Sequence, residues 1–334
     1  MPRVSVLLPV RDAAATLAEC LGSLRRQTLR DFEILAVDDG SRDGSGEQLA
    51  AAAREDPRLV PLKATGAGLV PALNLALGRV RAPFVARMDA DDVAAPERLE
   101  AQARRLEQDP RVDVLGCAVE LLEDPRTPAP GMRAYVAWQN SLLDHDAIVR
   151  EIFVESPLVH PSVMLRTPAL VGLGGYREFD GPEDYDLWLR GHRRGLRFAK
   201  LEDVLLSWRD APGRLTRTDP RYAPRRFREL KIAALEAALL RGRRGVVVWG
   251  AGPIGKAWAH ALSRCGHRVE AFVEVDARKI GRRIQGVPVL SVQDAGLRGP
   301  LHIGAVGQKG ARGRIREAVA RLGLQEGRDF VAVA

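Results

Sequence analysis

An apolar run that ends in three carboxylates constrains this chain more than any other feature. Residues 84–88 (FVARM) are mostly apolar, and Asp89, Asp91 and Asp92 follow directly. A run of this kind predicts a buried strand. Open α/β sheets bind their ligands at the carboxyl ends of the strands. We therefore expect these acids at a ligand-binding edge of a sheet.

The residues alone leave two interpretations of this acidic cluster open. Neighbouring carboxylates repel one another unless a cation lies among them, and hard oxygen ligands suit Mg²⁺ or Mn²⁺. Alternatively, Asp92 caps a helix that begins at Pro96, and the other two acids are merely solvated. The pattern therefore predicts either a metal site or a helix cap.

Strand and helix patterns alternate through the first part of the chain. Strand-like runs occupy residues 4–10, 32–37, 84–88 and 112–119. A helical spacing relates Leu17, Cys20, Leu21 and Leu24, and a second helix is expected after Pro96. This alternation predicts an α/β fold with a layered, largely parallel sheet. A Pro-rich segment, residues 126–131, predicts a mobile loop, and residues 160–165 predict a short strand.

Length, charge and cysteine content narrow the class of protein. A chain of 334 residues is too long for one ordinary core, so we expect two domains. Residues 1–220 carry a net charge of −5 and residues 221–334 a net charge of +13. Three cysteines without metal-ligand spacing indicate a reducing compartment. The start of the chain lacks a signal-peptide pattern, which predicts a cytoplasmic protein.

The domain boundaries are predicted from these patterns. We expect one domain over residues 1–220, a basic connecting helix over 221–243 and a second α/β domain over 244–334. The basic helix could contact the inner face of a membrane, so a peripheral association remains open. No nucleic-acid partner is expected.

Two further acidic segments have both a functional and a structural interpretation. Asp39 follows the second predicted strand, where it could bind a base or ribose or belong to an ordinary Asp-Gly turn. Asp184 lies at the start of another predicted helix, where Asp180 would cap and Pro182 would occupy the first position. A carboxylate at such a helix start could also act as a general base.

Together these segments resemble family 2 inverting glycosyltransferases of the glycosyltransferase A fold, which implies a Rossmann-like mixed sheet in the first domain. The resemblance covers residues 1 to about 220 and is carried by residues 4–10, 37–41, 86–92, 96–99, 160–164, 174–177 and 183–188. Two positions depart from the family pattern. Arg11-Asp12 replaces an aromatic-Asn pair at the edge of the base pocket, and Leu73 stands where an arginine that contacts the diphosphate is frequent.

The resemblance implies roles for individual residues. Pro9 and Asp39 would line the uracil site, Asp89 would face the ribose or diphosphate, Asp91 would ligate Mg²⁺ or Mn²⁺, and Asp184 would be the base. Candidates for the acceptor side are Glu183, His160 and Trp188.

The implied activity is metal-dependent transfer of a sugar from a nucleotide diphosphate-sugar, UDP-sugar first, to a saccharide or lipid-linked acceptor in polysaccharide or glycoconjugate synthesis. One displacement inverts the anomeric carbon, so no protein nucleophile is expected. A non-catalytic sugar-nucleotide or NAD sensor and a Rossmann-type oxidoreductase remain as alternatives.

The last ninety residues contain a glycine pattern in the context of a nucleotide site. Gly250, Gly252 and Gly255 follow a strand and open a helix, and Asp276 follows the next strand, where a ribose-binding acid is expected. Residues 272–289 resemble small Rossmann-like sensor domains of sugar-modifying enzymes. The unit either binds a nucleotide such as NAD(P) or serves packing.

Overall fold

The computed structural model describes residues 1–123, 130–211 and 213–334. They form two compact units: residues 1–148 with 157–222, and residues 149–156 with 223–334. Most of the segment predicted as a mobile loop lies outside the described residues, and its last two residues begin a helix.

The first part of the chain alternates strands and helices. The strands are β1 (Val4–Val10), β2 (Phe32–Asp38), β3 (Leu59–Lys63), β4 (Phe84–Arg87), β5 (Val93–Ala94), β6 (Val114–Glu123), β7 (Met164–Arg166) and β8 (Phe198–Asp210). The helices are α1 (Leu17–Arg25), α2 (Ser45–Glu55), α3 (Leu69–Leu77), α4 (Arg98–Gln108), α5 (Pro130–Asn140), α6 (His145–Glu151), α7 (Thr167–Gly172), α8 (Glu183–Arg193) and α9 (Leu215–Thr218). The strand predicted over 160–165 is only β7, because His160–Ser162 forms a 3₁₀ turn before it.

The eight strands form one mixed sheet in the order β3-β2-β1-β4-β7-β6-β8-β5. β1 pairs in parallel with β2 and β4, and β2 pairs in parallel with β3. β7 is antiparallel to both β4 and β6, so the sheet is mixed. The largely parallel sheet that the alternating pattern predicts is therefore wrong. The α/β fold class is confirmed, and its parallel half contains the ends of β1, β2 and β4.

Apolar side chains explain why β1 lies inside the sheet. Its buried core residues are Val4, Val6, Leu8 and Val10, and they belong to one cluster with the apolar face of α1, namely Leu17, Cys20, Leu21 and Leu24. Leu7 on the opposite face is also fully buried. Burial on both faces is typical of a parallel strand with helices on either side, as the continuous apolar run predicts.

The second unit is a smaller α/β sheet. It contains α10 (Pro224–Leu235), β9 (Val246–Trp249), α11 (Pro253–Arg264), β10 (Val269–Val273), β11 (Arg283–Ile284), β12 (Val287–Leu290), β13 (Leu301–Gly304), α12 (Ala311–Arg321) and β14 (Phe330–Ala332). The strand order is β11-β12-β10-β9-β13-β14, and only β11 pairs antiparallel. The helix predicted over 221–243 is shorter, because α10 ends in one π-helical turn over Glu236–Leu240.

The end of α6 belongs to this second unit, although no sequence signal assigns it there. Lys231 Nζ of α10 donates to the carbonyl oxygen of Val154 at 2.7 Å. Glu151 forms ion pairs with Arg312 and Arg316 of α12. These buried and half-buried polar contacts fix residues 149–156 to the C-terminal unit.

Among the residues that the structure describes, no helix is long and apolar enough to cross a membrane.

Candidate active site

Two acidic turns follow β2 and β4, the strands on either side of β1 in the first sheet. Asp39 comes directly after β2, and Asp89 comes two residues after Arg87, the last residue of β4. Both strands pair in parallel with β1, so their carboxyl ends lie at one edge of the sheet. Pro9 of β1 is paired with Val37 and lies at the same edge. The two turns are therefore in the arrangement that a ligand spanning both would require.

The three acids after β4 converge on one point. Asp89, Asp91 and Asp92 each offer a carboxylate oxygen, and these atoms lie within 4.8 Å of one another. Burial, and then the charge of Asp89, raise the pKa of Asp91 to about 6; the same two causes raise the pKa of Asp92. Three self-repelling oxygen ligands fit a hard divalent cation.

The helix-cap interpretation of Asp92 is wrong. Helix α4 begins at Arg98, and Glu97 occupies the cap position without a side-chain hydrogen bond. Asp92 is instead almost fully buried, and one of its carboxylate oxygens accepts a hydrogen bond from the backbone N–H of Arg209 at 2.8 Å. Its other oxygen has no hydrogen-bond partner in the described part of the chain.

Without metal, we expect Asp91 to make the protein less stable as the pH rises. Its pKa of about 6 in the folded state lies above the ordinary 3.8, so its stabilising contribution is complete below 3.8 and is lost as the pH rises to about 6. Chemical denaturation at about pH 4.5 and pH 7 should show that Asp91→Asn gains unfolding free energy relative to the parent over this interval. An identical pH dependence in both proteins would contradict this assignment.

Asp39 has one carboxylate oxygen in use and one unused. Oδ2 accepts a hydrogen bond from the backbone N–H of Gly68 at 2.9 Å and another from Arg11 at 3.2 Å. Oδ1 is buried and has no hydrogen-bond partner among the described residues. An unsatisfied buried acceptor is costly, so this oxygen is suited to a donor group on a ligand. Arg11, one of the two departures from the family pattern, is thereby placed beside Asp39.

A buried arginine, to which no sequence pattern assigned a role, precedes the acidic cluster. Arg87 is 2% exposed, and its Nη1 lies 2.5 Å from Oδ1 of Asp89. A buried guanidinium requires a compensating charge, which Asp89 supplies. The signal that could have identified it is a single cation within an otherwise apolar strand.

The start of α8 presents two neighbouring acids in different environments. Glu183 is buried; its Oε2 accepts a hydrogen bond from the hydroxyl of Tyr222 at 2.6 Å, and its Oε1 lies 3.7 Å from Nδ1 of His160. Burial acts to raise the pKa of Glu183, but the contacts with His160 and Tyr222 outweigh it and lower that pKa. Asp184 is only half-buried, and its Oδ1 accepts a hydrogen bond from the backbone N–H of Tyr185 at 2.7 Å.

The helix start differs in detail from the sequence prediction. Pro182 occupies the cap position, whereas the first helical position was expected for it, and no side-chain hydrogen bond from that position caps the helix. Glu183 and Asp184 are therefore the first two residues of α8. A carboxylate there is favoured electrostatically by the helix dipole, whichever acid performs chemistry.

His160 and Trp188 lie in the interior. His160 is 7% exposed and its Nε2 is 3.0 Å from the hydroxyl of Tyr176, while Trp188 is fully buried in α8. Burial, and then the charge of Arg87, lower the pKa of His160. Both rings pack edge to face, so these two acceptor-side candidates have structural contacts, and contact with an acceptor stays a prediction.

The C-terminal unit contains the expected strand, glycine turn and helix. Gly250 has a positive φ of 102°, and a Cβ on Gly255 would lie 1.8 Å from the carbonyl oxygen of Gly250. The turn therefore requires glycine at both positions, as close packing of a helix start on a strand end demands. At Gly252 a Cβ would meet nothing within 4 Å.

This difference gives a matched pair of substitutions. We expect Gly255→Ala to destabilise the protein by about 1–3 kcal/mol, since the new methyl group overlaps a backbone oxygen. Gly252→Ala adds the same methyl group into open space and should leave the melting temperature nearly unchanged. Equal melting temperatures for the two variants would mean that the turn is not packed in this way.

Glu274 contacts the glycine turn, although no sequence pattern marked it as a site residue. Its Oε2 accepts hydrogen bonds from the backbone N–H of Ala251 at 3.2 Å and from Lys279 at 2.9 Å. Asp276 instead pairs with the exposed Arg278. Glu274 directly follows β10, and a count from the strand end would have identified it.

Comparisons with known proteins show the family of this chain. The family model for glycosyl transferase family 2 matches residues 5–170. The amylovoran biosynthesis glycosyltransferase AmsE of Erwinia amylovora is 33% identical over 211 residues, which cover 61% of this chain and 75% of AmsE. The chain belongs to glycosyl transferase family 2. A second family model, for the CoA binding domain, matches residues 243–322.

Solved structures show the same fold at lower identity. S. aureus TarS 1–349 in complex with UDP-GlcNAc aligns with a TM-score of 0.55 and 19% identity over 71% of this chain and 67% of TarS. The mannosyltransferase PcManGT of Pyrobaculum calidifontis, in complex with GDP-Man and Mn²⁺, aligns with a TM-score of 0.52 and 23% identity over 78% of this chain and 68% of PcManGT. These structures show the fold, and the family model together with AmsE shows that the chain is a glycosyltransferase with a second, smaller CoA-binding-type α/β domain.

Proposed function

We propose that the first unit transfers a sugar, with inversion, from a nucleotide diphosphate-sugar to an acceptor hydroxyl. The observation that carries the proposal is one edge of the sheet, where the unused oxygen of Asp39 and the acidic cluster of Asp89, Asp91 and Asp92 follow the two strands that pair in parallel with β1. Asp39 suits the N–H of a base, and we take uracil as the first choice because TarS is described with UDP-GlcNAc. Pro9 lies beside this position on β1.

A divalent cation, Mg²⁺ or Mn²⁺, is part of this proposal. Asp91 would hold it, with Asp89 directed to the ribose or diphosphate, and the cation would offset the negative charge that develops on the leaving nucleotide diphosphate. The self-repelling carboxylates support this role, as does the description of PcManGT in complex with Mn²⁺. Arg87 fixes the direction of the Asp89 carboxylate.

Asp184 is proposed as the general base. Glu183 is buried against Tyr222 and His160, whereas Asp184 in the first turn of α8 is half-buried and keeps access to solvent. A carboxylate in that position can remove the proton of an acceptor hydroxyl as the new glycosidic bond forms. The acceptor is proposed to be a saccharide or lipid-linked sugar in polysaccharide synthesis, in line with the printed name of AmsE. We also propose a cytoplasmic location.

A panel of donors tests the proposal. The full chain is screened by thermal shift with UDP-sugars and GDP-sugars, with and without Mn²⁺, and each stabilising donor is then assayed for hydrolysis. We expect at least one donor to stabilise the protein only with Mn²⁺ and to be turned over. Absence of stabilisation by every donor would remove the proposed activity.

A second candidate function belongs to the C-terminal unit. We propose that it binds a nucleotide such as coenzyme A or NAD(P) at the turn of Gly250, Gly252 and Gly255, with phosphate at the start of α11. Glu274 supports this proposal better than Asp276, because it already contacts the backbone of that turn. Calorimetry of the full chain with each nucleotide tests it, and no heat with any of them would leave the unit a packing module.

A further inference from the structure

A second buried arginine lies behind the acidic cluster. Arg98, the first residue of α4, is 1% exposed, and it forms no ion pair with a carboxylate among the described residues. Its Nη2 donates to the carbonyl oxygen of Arg87 at 2.7 Å, and its Nη1 lies 3.2 Å from the sulfur of Met88. Arg98 therefore holds the backbone at the end of β4, directly before the acidic cluster.

A fully buried glutamine continues this contact. Nε of Arg98 donates to Oε1 of Gln102 at 3.2 Å, one turn further along α4. The amide nitrogen of Gln102 donates to the carbonyl oxygens of Leu115 at 3.0 Å and Ser162 at 2.9 Å. Gln102 thus connects the arginine to the 3₁₀ turn His160–Ser162.

The 3₁₀ turn contacts the start of α8, which carries the proposed general base. His160 begins it and faces Glu183, the residue directly before Asp184. The backbone N–H of Arg87 in turn donates to the carbonyl oxygen of Val163, so the turn and the end of β4 are joined twice. Every side chain in the chain of contacts is nearly or fully buried, where hydrogen bonds are strong and loss of one partner is costly.

We propose that Arg98 and Gln102 are positioning residues that fix the acidic cluster relative to the start of α8. The proposal rests on the proposed function, because only a reaction that uses both groups at once needs their spacing to be fixed. Arg98 is connected to both the end of β4 and the 3₁₀ turn, since it donates hydrogen bonds to Arg87 and to Gln102. Gln102 donates a hydrogen bond to the 3₁₀ turn but none to the end of β4.

The two residues therefore have different expected effects. Arg98→Met removes both connections and should lower both the Mn²⁺-dependent affinity for UDP and the turnover of the donor by about 10-fold or more. Gln102→Met leaves Arg98 on the carbonyl oxygen of Arg87, so it should keep the UDP affinity within about twofold and lower kcat by about 10-fold. Arg98→Lys keeps the charge and one donor nitrogen in place of three, so it should recover part of the loss.

A buried polar cluster elsewhere in the first unit serves as a control. It separates an effect on the position of the site from a general loss of stability. Glu33 is also buried and binds Ser5 and Arg81, and among the described residues no hydrogen bond or ion pair joins it to the acidic cluster or the 3₁₀ turn. Glu33→Gln should lower the melting temperature and leave UDP affinity and kcat unchanged. The measurements are melting temperature, calorimetry of UDP with Mn²⁺, and donor hydrolysis separated into kcat and KM.

The outcomes are distinguishable. If both α4 variants lose only melting temperature, as the control does, the positioning role is wrong while the proposed function stands. If Gln102→Met loses UDP affinity as strongly as Arg98→Met, the two sides are not held separately and the inference fails. If the parent protein binds neither Mn²⁺ nor UDP, the proposed function itself fails, and the positioning role fails with it.

Discussion

Replacing Asp184 by Asn should lower sugar transfer by roughly 10²–10⁴-fold, the usual contribution of a general base. The amide keeps the size of the side chain and cannot accept the proton of the acceptor hydroxyl. Donor and metal binding should change little, because Asp91 and Asp39 belong to other elements of the site. The measurements are turnover, UDP affinity with Mn²⁺ and melting temperature.

Glu183→Gln is the control for this prediction. It changes the neighbouring acid, whose oxygens face Tyr222 and His160 in the interior. We expect this variant to lose stability, since charge-assisted buried contacts are weakened, and to keep more activity than Asp184→Asn. Full turnover in Asp184→Asn, or a greater loss of turnover in Glu183→Gln, would remove Asp184 from the mechanism.

Replacing Asp91 by Asn should abolish the dependence of UDP binding on Mn²⁺. The substitution removes one of three convergent charges while it keeps the shape of the side chain, so the fold should survive. Turnover should fall by roughly 10²–10³-fold. This is the loss expected when an enzyme loses one group that stabilises negative charge in the transition state. The measurement is UDP calorimetry over a series of Mn²⁺ concentrations, followed by donor hydrolysis.

An exposed acid provides the control for charge alone. Glu107 pairs with Arg3 on the surface, so Glu107→Gln changes the net charge by the same amount away from the site. It should retain the Mn²⁺ response of the parent. If Asp91→Asn retains that response as well, the metal assignment is wrong.

The elements with continuous apolar patterns were predictable from the sequence. β1 matches its predicted bounds, and α1 buries all four of the residues that its helical spacing selects. The order of the sheet was not predictable in the same way. β7 is only three residues long, and it enters antiparallel between β4 and β6 through pairings that no local pattern specifies.

The acids of the site were predictable because they directly follow apolar strands. The partners that determine their environment were not, since they come from distant parts of the chain. Tyr222 lies 39 residues from Glu183, and the backbone of Arg209 reaches Asp92 across 117 residues. Hydrogen bonds of this kind depend on tertiary packing and leave no trace in residue spacing.

The configuration of the first-formed product shows whether the sugar is transferred by a metal-dependent single displacement at the anomeric carbon. The sugar released from a turned-over α-linked UDP-sugar is followed by proton NMR of its anomeric hydrogen, with and without Mn²⁺. We expect the β-anomer to appear first and only with Mn²⁺. Initial release of the α-anomer, or equal release without Mn²⁺, would contradict it.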